Sequence, residues 1–353
     1  MPKIKAVRWF APRDMRLVEE ERPVPGPHEV LVRVESVGVC GSDMHYFLDG
    51  RIGGNRLTTP TILGHEYAGI VEAAGAEADA ALLGRRVAVE PGIPCMRCEW
   101  CRTGHYNVCE GMFFPGGPGC DGALREYMAV DARFCFPVPE GMTAPVAAMI
   151  EPAAVAVRTV ELARLRPGCT AVIFGLGPVG LLTAQVAKMS GVRELYGVDL
   201  LPYRAAAASR YGVDAAFVGK AGSPAEGGAA ALDWLRGRTG GRGVDVAFDC
   251  GNGSDGLALA VHAARPGGVC VLTGISGVDS DPLPVGVARR KELTLQWCRR
   301  FLHNYPATLA LAASGKLDLE SLVTHSFPLE RSMDAFELVA ENRDGVLKAS
   351  IDF

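Results

Sequence analysis

Hydrophobic positions follow two rhythms along this chain of 353 residues. Up to about residue 150 they alternate with polar ones in short runs broken by Gly and Pro. VLVRVESVGVC (30–40), YAGIVEAAG (67–75) and GRRVAVE (84–90) have the period of two that a half-buried strand requires, so this region is expected to be β-rich. Near Met149 the rhythm changes. AAVAVRTVELARL (153–165) has helical spacing and leads to Pro167-Gly168, then to the strand AVIFG (171–175). A helix over 179–190, a strand ELYGVD (194–199) and a helix over 202–211 follow, and then VDVAFDC (244–250), LALAVHAA (257–264), VCVLTG (269–274) and LTLQW (293–297). Strand–helix alternation with continuously apolar strands predicts a doubly wound parallel sheet. The tail adds helices over 306–314 and 333–342 and a closing strand, VLKASIDF (346–353). There is no internal repeat, and only the Gly/Ala-rich stretch 219–231 approaches low complexity.

Composition narrows the class. Hydrophobic residues at 48% and charged residues at 22% are ordinary for a soluble globular protein, and the length predicts two domains. With 40 acidic against 36 basic side chains, and no long run of either sign, neither nucleic acid nor an anionic membrane is an expected partner. The opening MPKIKAVRWF lacks the apolar core of a signal peptide, so a cytoplasmic location is expected. The uncharged run 169–187 has the hydropathy of a membrane span, but Gly175, Gly177, Pro178 and Gly180 interrupt it. A buried strand feeding a buried helix explains it better.

That interruption is GLGPVG, which places Gly175, Gly177 and Gly180 in G-x-G-x-x-G spacing between a strand and a helix. Such glycines permit a tight turn and a close approach of backbone to a pyrophosphate at the helix N-terminus. Asp199 ends the next strand, 24 residues after Gly175, where a carboxylate accepts from adenosine ribose hydroxyls and repels a 2′-phosphate. The pattern favours NAD over NADP. Arg204 is placed to touch the ribose, or equally to lie on a solvated helix face.

Eleven cysteines are many for a cytosolic chain, and four crowd into PCMRCEWCRTGHYNVC as Cys95, Cys98, Cys101 and Cys109. That C-x2-C-x2-C-x7-C spacing suits one tetrahedral zinc in a closed four-thiolate shell; the C-x3-C-P of a common iron–sulfur run is absent. Six others (Cys120, Cys135, Cys169, Cys250, Cys270, Cys298) are scattered and read as small hydrophobes. A looser set comprises Cys40, Ser42 and His45 from VCGSDMH, His65 and Glu66 from ILGHEYAG, and Glu151 from MIEPAAVAVR. Thiolate, imidazole and carboxylate are zinc donors, and three protein ligands with one open position make a catalytic site. Spacing alone does not join residues so far apart.

These motifs in this order resemble the zinc-containing medium-chain alcohol dehydrogenases over nearly the whole chain, from about Val30 to Phe353. HYFLDGRIG, IEPAAVAV, RRFLHNYP and VTHSFPLE resemble the sorbitol and xylitol dehydrogenases in particular. The resemblance implies a GroES-like catalytic domain (1–152 and 298–353, with a zinc lobe at about 91–111) and a Rossmann domain (153–297), with the active cleft between them. It implies that Cys40, His65 and Glu66 hold catalytic zinc, with Glu151 a ligand or the holder of its water. Tyr46, Arg300 and Phe301 then fall at substrate positions, and Val179, Asp199, Arg204 and Thr273, Gly274 and Ile275 at NAD positions. Phe301 and His303 stand where the mammalian sorbitol enzymes have tyrosine and asparagine, and those enzymes lack the four-cysteine lobe.

The implied reaction is oxidation of a secondary alcohol of a polyol to a ketose, with hydride passing to NAD. Ser42 would take the hydroxyl proton and pass it, by way of the nicotinamide ribose, to the imidazole of His45. L-Threonine 3-dehydrogenase, which shares both zinc patterns, or a 2,3-butanediol-type dehydrogenase is the alternative, and a nucleotide-binding protein of the same fold without chemistry is the reading from another class. The resemblance also implies a homotetramer or homodimer.

Overall fold

The computed structural model describes residues 2–219 and 224–353, so part of the Gly/Ala-rich stretch lies outside the described residues. Its later part, from Pro224, is helical: Pro224–Arg238 forms a helix that alanines and a Leu-Asp-Trp-Leu run support despite three glycines.

The chain divides into two compact units, residues 1–151 with 302–353 and residues 152–301. Cys298 to Phe301, expected with the first domain, therefore group with the second. In the first unit a seven-stranded sheet runs in the order Cys135–Pro137, Arg86–Val89, Glu66–Ala74, Glu29–Gly38, Lys348–Asp352 and Val323–Pro328, with Tyr127–Asp131 also pairing with Glu29–Gly38. Lys3–Ala11 and Asp14–Glu21 form a hairpin on a second, small sheet. The N-terminal pattern did not reveal this hairpin, because its outer strand is mostly charged and lies half in solvent. Val30, Val32, Val34, Val37, Ile62, Leu63, Val87 and Ile351 form the core of this unit.

Two registers converge on one point. Gly38 lies opposite Glu66 on one side and opposite Ser350 on the other. The end of the central strand, the start of its neighbour and the closing strand of the chain therefore meet where Cys40 begins a helix, Gly41–Asp49.

The second unit holds six parallel strands in the order Ala215–Val218, Glu194–Asp199, Thr170–Phe174, Val244–Asp249, Ala264–Leu272 and Thr294–Trp297. Numbered along the chain this is 3-2-1-4-5-6, the Rossmann order. All five residues of Thr170–Phe174 are buried, as a strand covered on both faces requires. The apolar run 169–187 is thus a short strand, a glycine turn and the helix Pro178–Met189. No helix among the described residues is long and apolar enough to cross a membrane.

Candidate active site and metal centres

In the nucleotide unit the three glycines of GLGPVG play different parts. Gly175 adopts φ +91°, and a Cβ there would meet Gly251 Cα at 2.7 Å. A Cβ on Gly180 would sit 1.9 Å from the Gly175 carbonyl oxygen, so helix and loop touch only because residue 180 has no side chain. Gly177, the residue before Pro178–Met189, has nothing nearer to its Cβ position than Arg204 Nη1 at 3.6 Å. That is a cradle for an anion: an open glycine face, a helix N-terminus with Val179 in its first turn, and a guanidinium beside it. The loop sits where the strand order reverses, the usual ligand crevice of such sheets.

Asp199 is buried, and its two oxygens accept from Leu176 N–H (2.6 Å) and Leu201 N–H (2.8 Å). The carboxylate thus ties the glycine loop to the turn after its own strand and keeps lone pairs for further donors. Thr273 and Gly274 donate their N–H groups to the Asp249 carbonyl at 2.9 Å each, which places Thr273, Gly274 and Ile275 at the same carboxyl end of the sheet.

Cys95, Cys98, Cys101 and Cys109 bring their sulfurs within 4.8 Å of one another. Cys98 and Cys101 Sγ are 3.4 Å apart and Cys98 and Cys109 Sγ 3.8 Å, far beyond a disulfide bond and close to the roughly 3.8 Å edge of a tetrahedron with Zn–S bonds of about 2.3 Å. The N–H groups of Arg97 and Cys98 hold the Cys95 thiol down at about 6, while burial and the neighbouring thiols push Cys101 up to about 12. The lobe fits a closed zinc site.

The second cluster is Cys40, His65 and Glu66, again within 4.8 Å. Cys40 is the residue before the helix, and its N–H is capped by Asp43 Oδ2 at 3.1 Å. The other oxygen of Asp43 lies 3.4 Å from His65 Nδ1. One buried carboxylate therefore caps the helix that carries Cys40 and turns Nε2 of His65 toward the cluster, as carboxylate partners of metal-bound histidines do. Gly64, at φ +92°, makes the turn that lets adjacent His65 and Glu66 point to one centre. Gly38 leaves room for the Glu66 carboxylate, since a Cβ there would lie 2.2 Å from its Oε2. Burial and the Glu66 charge push the Cys40 thiol up, against the pull of His65 and Lys348. Thiolate, imidazole and carboxylate removed from water in this way suit a divalent cation such as zinc.

Lys348 was not foreseen. Its buried ammonium donates to Glu66 Oε1 and Oε2 at 2.9 and 2.6 Å and to the Val39 carbonyl at 3.1 Å. A lysine at a buried position of the closing strand VLKASIDF was the available signal. Asp43 was legible too, as an acid three residues past the cap position. Glu151, second residue of Ile150–Ala163, is buried but lies outside the close donor cluster.

Ser42 donates to Cys40 Sγ at 3.3 Å and sits 3.5 Å from His65 Nε2. His45 and Tyr46 follow it by three and four residues on the same helix, and so share its face. Arg300 and Phe301 end the second unit, Arg300 at φ +58° and Phe301 buried.

Comparison with known proteins agrees with this geometry. Residues 26–140 match the Alcohol dehydrogenase GroES-like domain family and residues 178–314 the Zinc-binding dehydrogenase family. The chain is 35% identical to a sorbitol dehydrogenase of Bacillus subtilis, over 99% of this chain and 97% of that one. It is 37% identical to a probable D-xylulose reductase A of Emericella nidulans, over 91% and 90%. An alcohol dehydrogenase of Escherichia coli solved with NADH superposes with a TM-score of 0.88 at 28% identity, over 99% of both chains. Whole-length similarity at this level leaves no room for a shared fold of separate origin, and the chain belongs to the zinc-dependent medium-chain dehydrogenases, in their sorbitol and xylitol dehydrogenase branch.

Proposed function

We propose that the chain is a two-zinc, NAD-dependent polyol dehydrogenase that oxidises a secondary alcohol to a ketose. The observation that carries this reading is the buried Cys40–His65–Glu66 donor cluster in a chain similar end to end to a sorbitol dehydrogenase. Cys40, His65 and Glu66 hold the catalytic metal, Glu151 is the alternate ligand or a water holder, and the four-cysteine lobe holds the structural one. When bound, zinc supplies Lewis acidity that makes a secondary hydroxyl acidic near neutral pH, and NAD supplies the hydride acceptor.

The remaining work belongs to the chain. Ser42 Oγ would accept the hydroxyl proton as it gives up its own, and His45, one turn along the same helix, would carry the released proton to solvent. Asp43 keeps Nδ1 of His65 engaged, so the ring presents Nε2 to the metal. Lys348 offsets the Glu66 charge, so that a thiolate and a carboxylate do not together over-neutralise the site. Asp199 accepts from the ribose hydroxyls and disfavours a 2′-phosphate, while Arg204 stands over Gly177 to meet the pyrophosphate. Tyr46, Arg300 and Phe301 contact the polyol. The enzyme is cytoplasmic and a homotetramer or homodimer; a monomer by light scattering at micromolar concentration would refute the assembly.

Zinc content and turnover of Glu66→Gln and Glu151→Gln test the arrangement. Glu66→Gln should lose catalytic zinc while Glu151→Gln keeps it with reduced turnover. The opposite pattern reverses the two roles.

A further inference from the structure

The segment that carries Arg300 and Phe301 has an unusual backbone. Arg300 and His303 both lie in the left-handed region, at φ +58° and +55°, although neither is glycine, asparagine or aspartate. Two such residues within four are retained only where the surroundings over-determine them. On the Arg300 side, the Cys298 thiol donates to the Arg300 carbonyl at 3.4 Å, and Cys298 N–H donates to the Leu272 carbonyl at 2.8 Å.

On the His303 side the anchors come from the four-cysteine lobe. His303 N–H donates to Tyr106 Oη at 3.0 Å, and Tyr106 O–H donates to buried Glu90 at 2.6 Å. The two rings meet edge to face at 4.7 Å, and His303 Nε2 lies 3.0 Å from the Gly104 carbonyl. Next along, buried Tyr305 donates to the Val89 carbonyl at 3.1 Å. Gly104 and Tyr106 stand between Cys101 and Cys109, so the ligand loop itself supplies the hold.

We propose that the lobe is a positioning device as well as a folding unit: through Tyr106 and Gly104 it clamps His303 and so fixes the strained backbone from which Arg300 and Phe301 leave. Tyr106 and His303 are positioning residues, not catalytic ones. The substrate half of this inference rests on the reading above that Arg300 and Phe301 meet the polyol.

The test uses the zinc-loaded, full-length enzyme. Tyr106→Phe keeps the ring but removes the acceptor for His303 N–H and the donor to Glu90. Amide exchange over residues 298–305 should quicken, by about tenfold at His303, the factor that one ordinary hydrogen bond is worth. KM for sorbitol or xylitol should rise five- to tenfold (~1–1.4 kcal/mol), with zinc at two per chain and KM for NAD unchanged. A Cys98→Ser, Cys101→Ser variant should show the same faster exchange. Unchanged exchange in Tyr106→Phe overturns the clamp, and faster exchange with an unchanged polyol KM overturns its role in positioning. If Tyr106→Phe does not fold, His303→Asn decides: it tolerates positive φ but loses the ring and the Gly104 contact, and wild-type exchange and KM there overturn the proposal. A wild type that oxidises no polyol overturns the functional reading and the substrate half with it, while exchange still decides the clamp.

Discussion

Replacing Lys348 with methionine should destabilise the metal-free protein far more than the zinc-loaded one. Lys348 and Glu66 are 3% and 1% exposed and 2.6 Å apart, so the pair is removed from water almost completely. Burial works against the Lys348 charge, but Glu66 and the Cys40 thiolate hold its pKa above the ordinary lysine value. Removing one partner of a buried pair strands the other, at a cost of about 3–5 kcal/mol. With zinc bound, Glu66 has a second cation to face, and the cost should fall below about half of that. By linkage the difference, about 2 kcal/mol or more, must reappear as tighter zinc binding at this site, a factor of about 30. Guanidinium denaturation of wild type and Lys348→Met, each with and without zinc, closes this cycle. The cysteine lobe loses its metal in both apoproteins and cancels from the difference. Equal destabilisation with and without zinc would show that Lys348 supports the strand and not the charge balance of the metal site.

Other consequences are as direct. Metal analysis should give about two zinc per chain for wild type and about one for Cys98→Ser, Cys101→Ser, with thermal stability lost before turnover; one zinc in a fully active wild type would remove the structural site. Asp199→Ala should raise KM for NAD and narrow its lead over NADP, because the ribose acceptor and the repulsion of a 2′-phosphate vanish together; unchanged selectivity would place discrimination elsewhere. Burial pushes the Glu90 carboxyl up to about 7, against the Tyr106 hydrogen bond. Its folded pKa therefore exceeds its unfolded one, and the fold loses on the order of 3 kcal/mol between about pH 4.5 and 7 as only the unfolded chain ionises. Glu90→Gln lacks that loss, so its Tm relative to wild type should climb across the same window; a flat difference would refute the assignment.

The alternation of apolar runs made the Rossmann unit legible because its strands are buried on both faces and its glycines have single steric roles. The four-cysteine lobe was legible because its ligands are local in sequence. The Cys40–His65–Glu66 cluster was legible only through the family resemblance, and Lys348 not at all, because these residues meet only through the pairing of three strands, a register that spacing does not encode. The helix Gly41–Asp49 escaped because it is only nine residues long and is separated from the strand Glu29–Gly38 by just two residues. The hairpin Lys3–Glu21 and the strand Ala215–Val218 escaped for a similar reason, being short or half-exposed with a weak apolar rhythm.

On the proposed function, the Cys40–His65–Glu66 cluster holds the metal and the glycine loop the NAD for oxidation of a polyol. NADH formation across pentitols, hexitols, inositols, 2,3-butanediol and L-threonine tests it most directly, run with wild type and with His65→Ala. Turnover should be fastest on a pentitol or hexitol, dependent on NAD and lost in His65→Ala. Turnover on L-threonine or 2,3-butanediol alone, or an unchanged rate in His65→Ala, would contradict it.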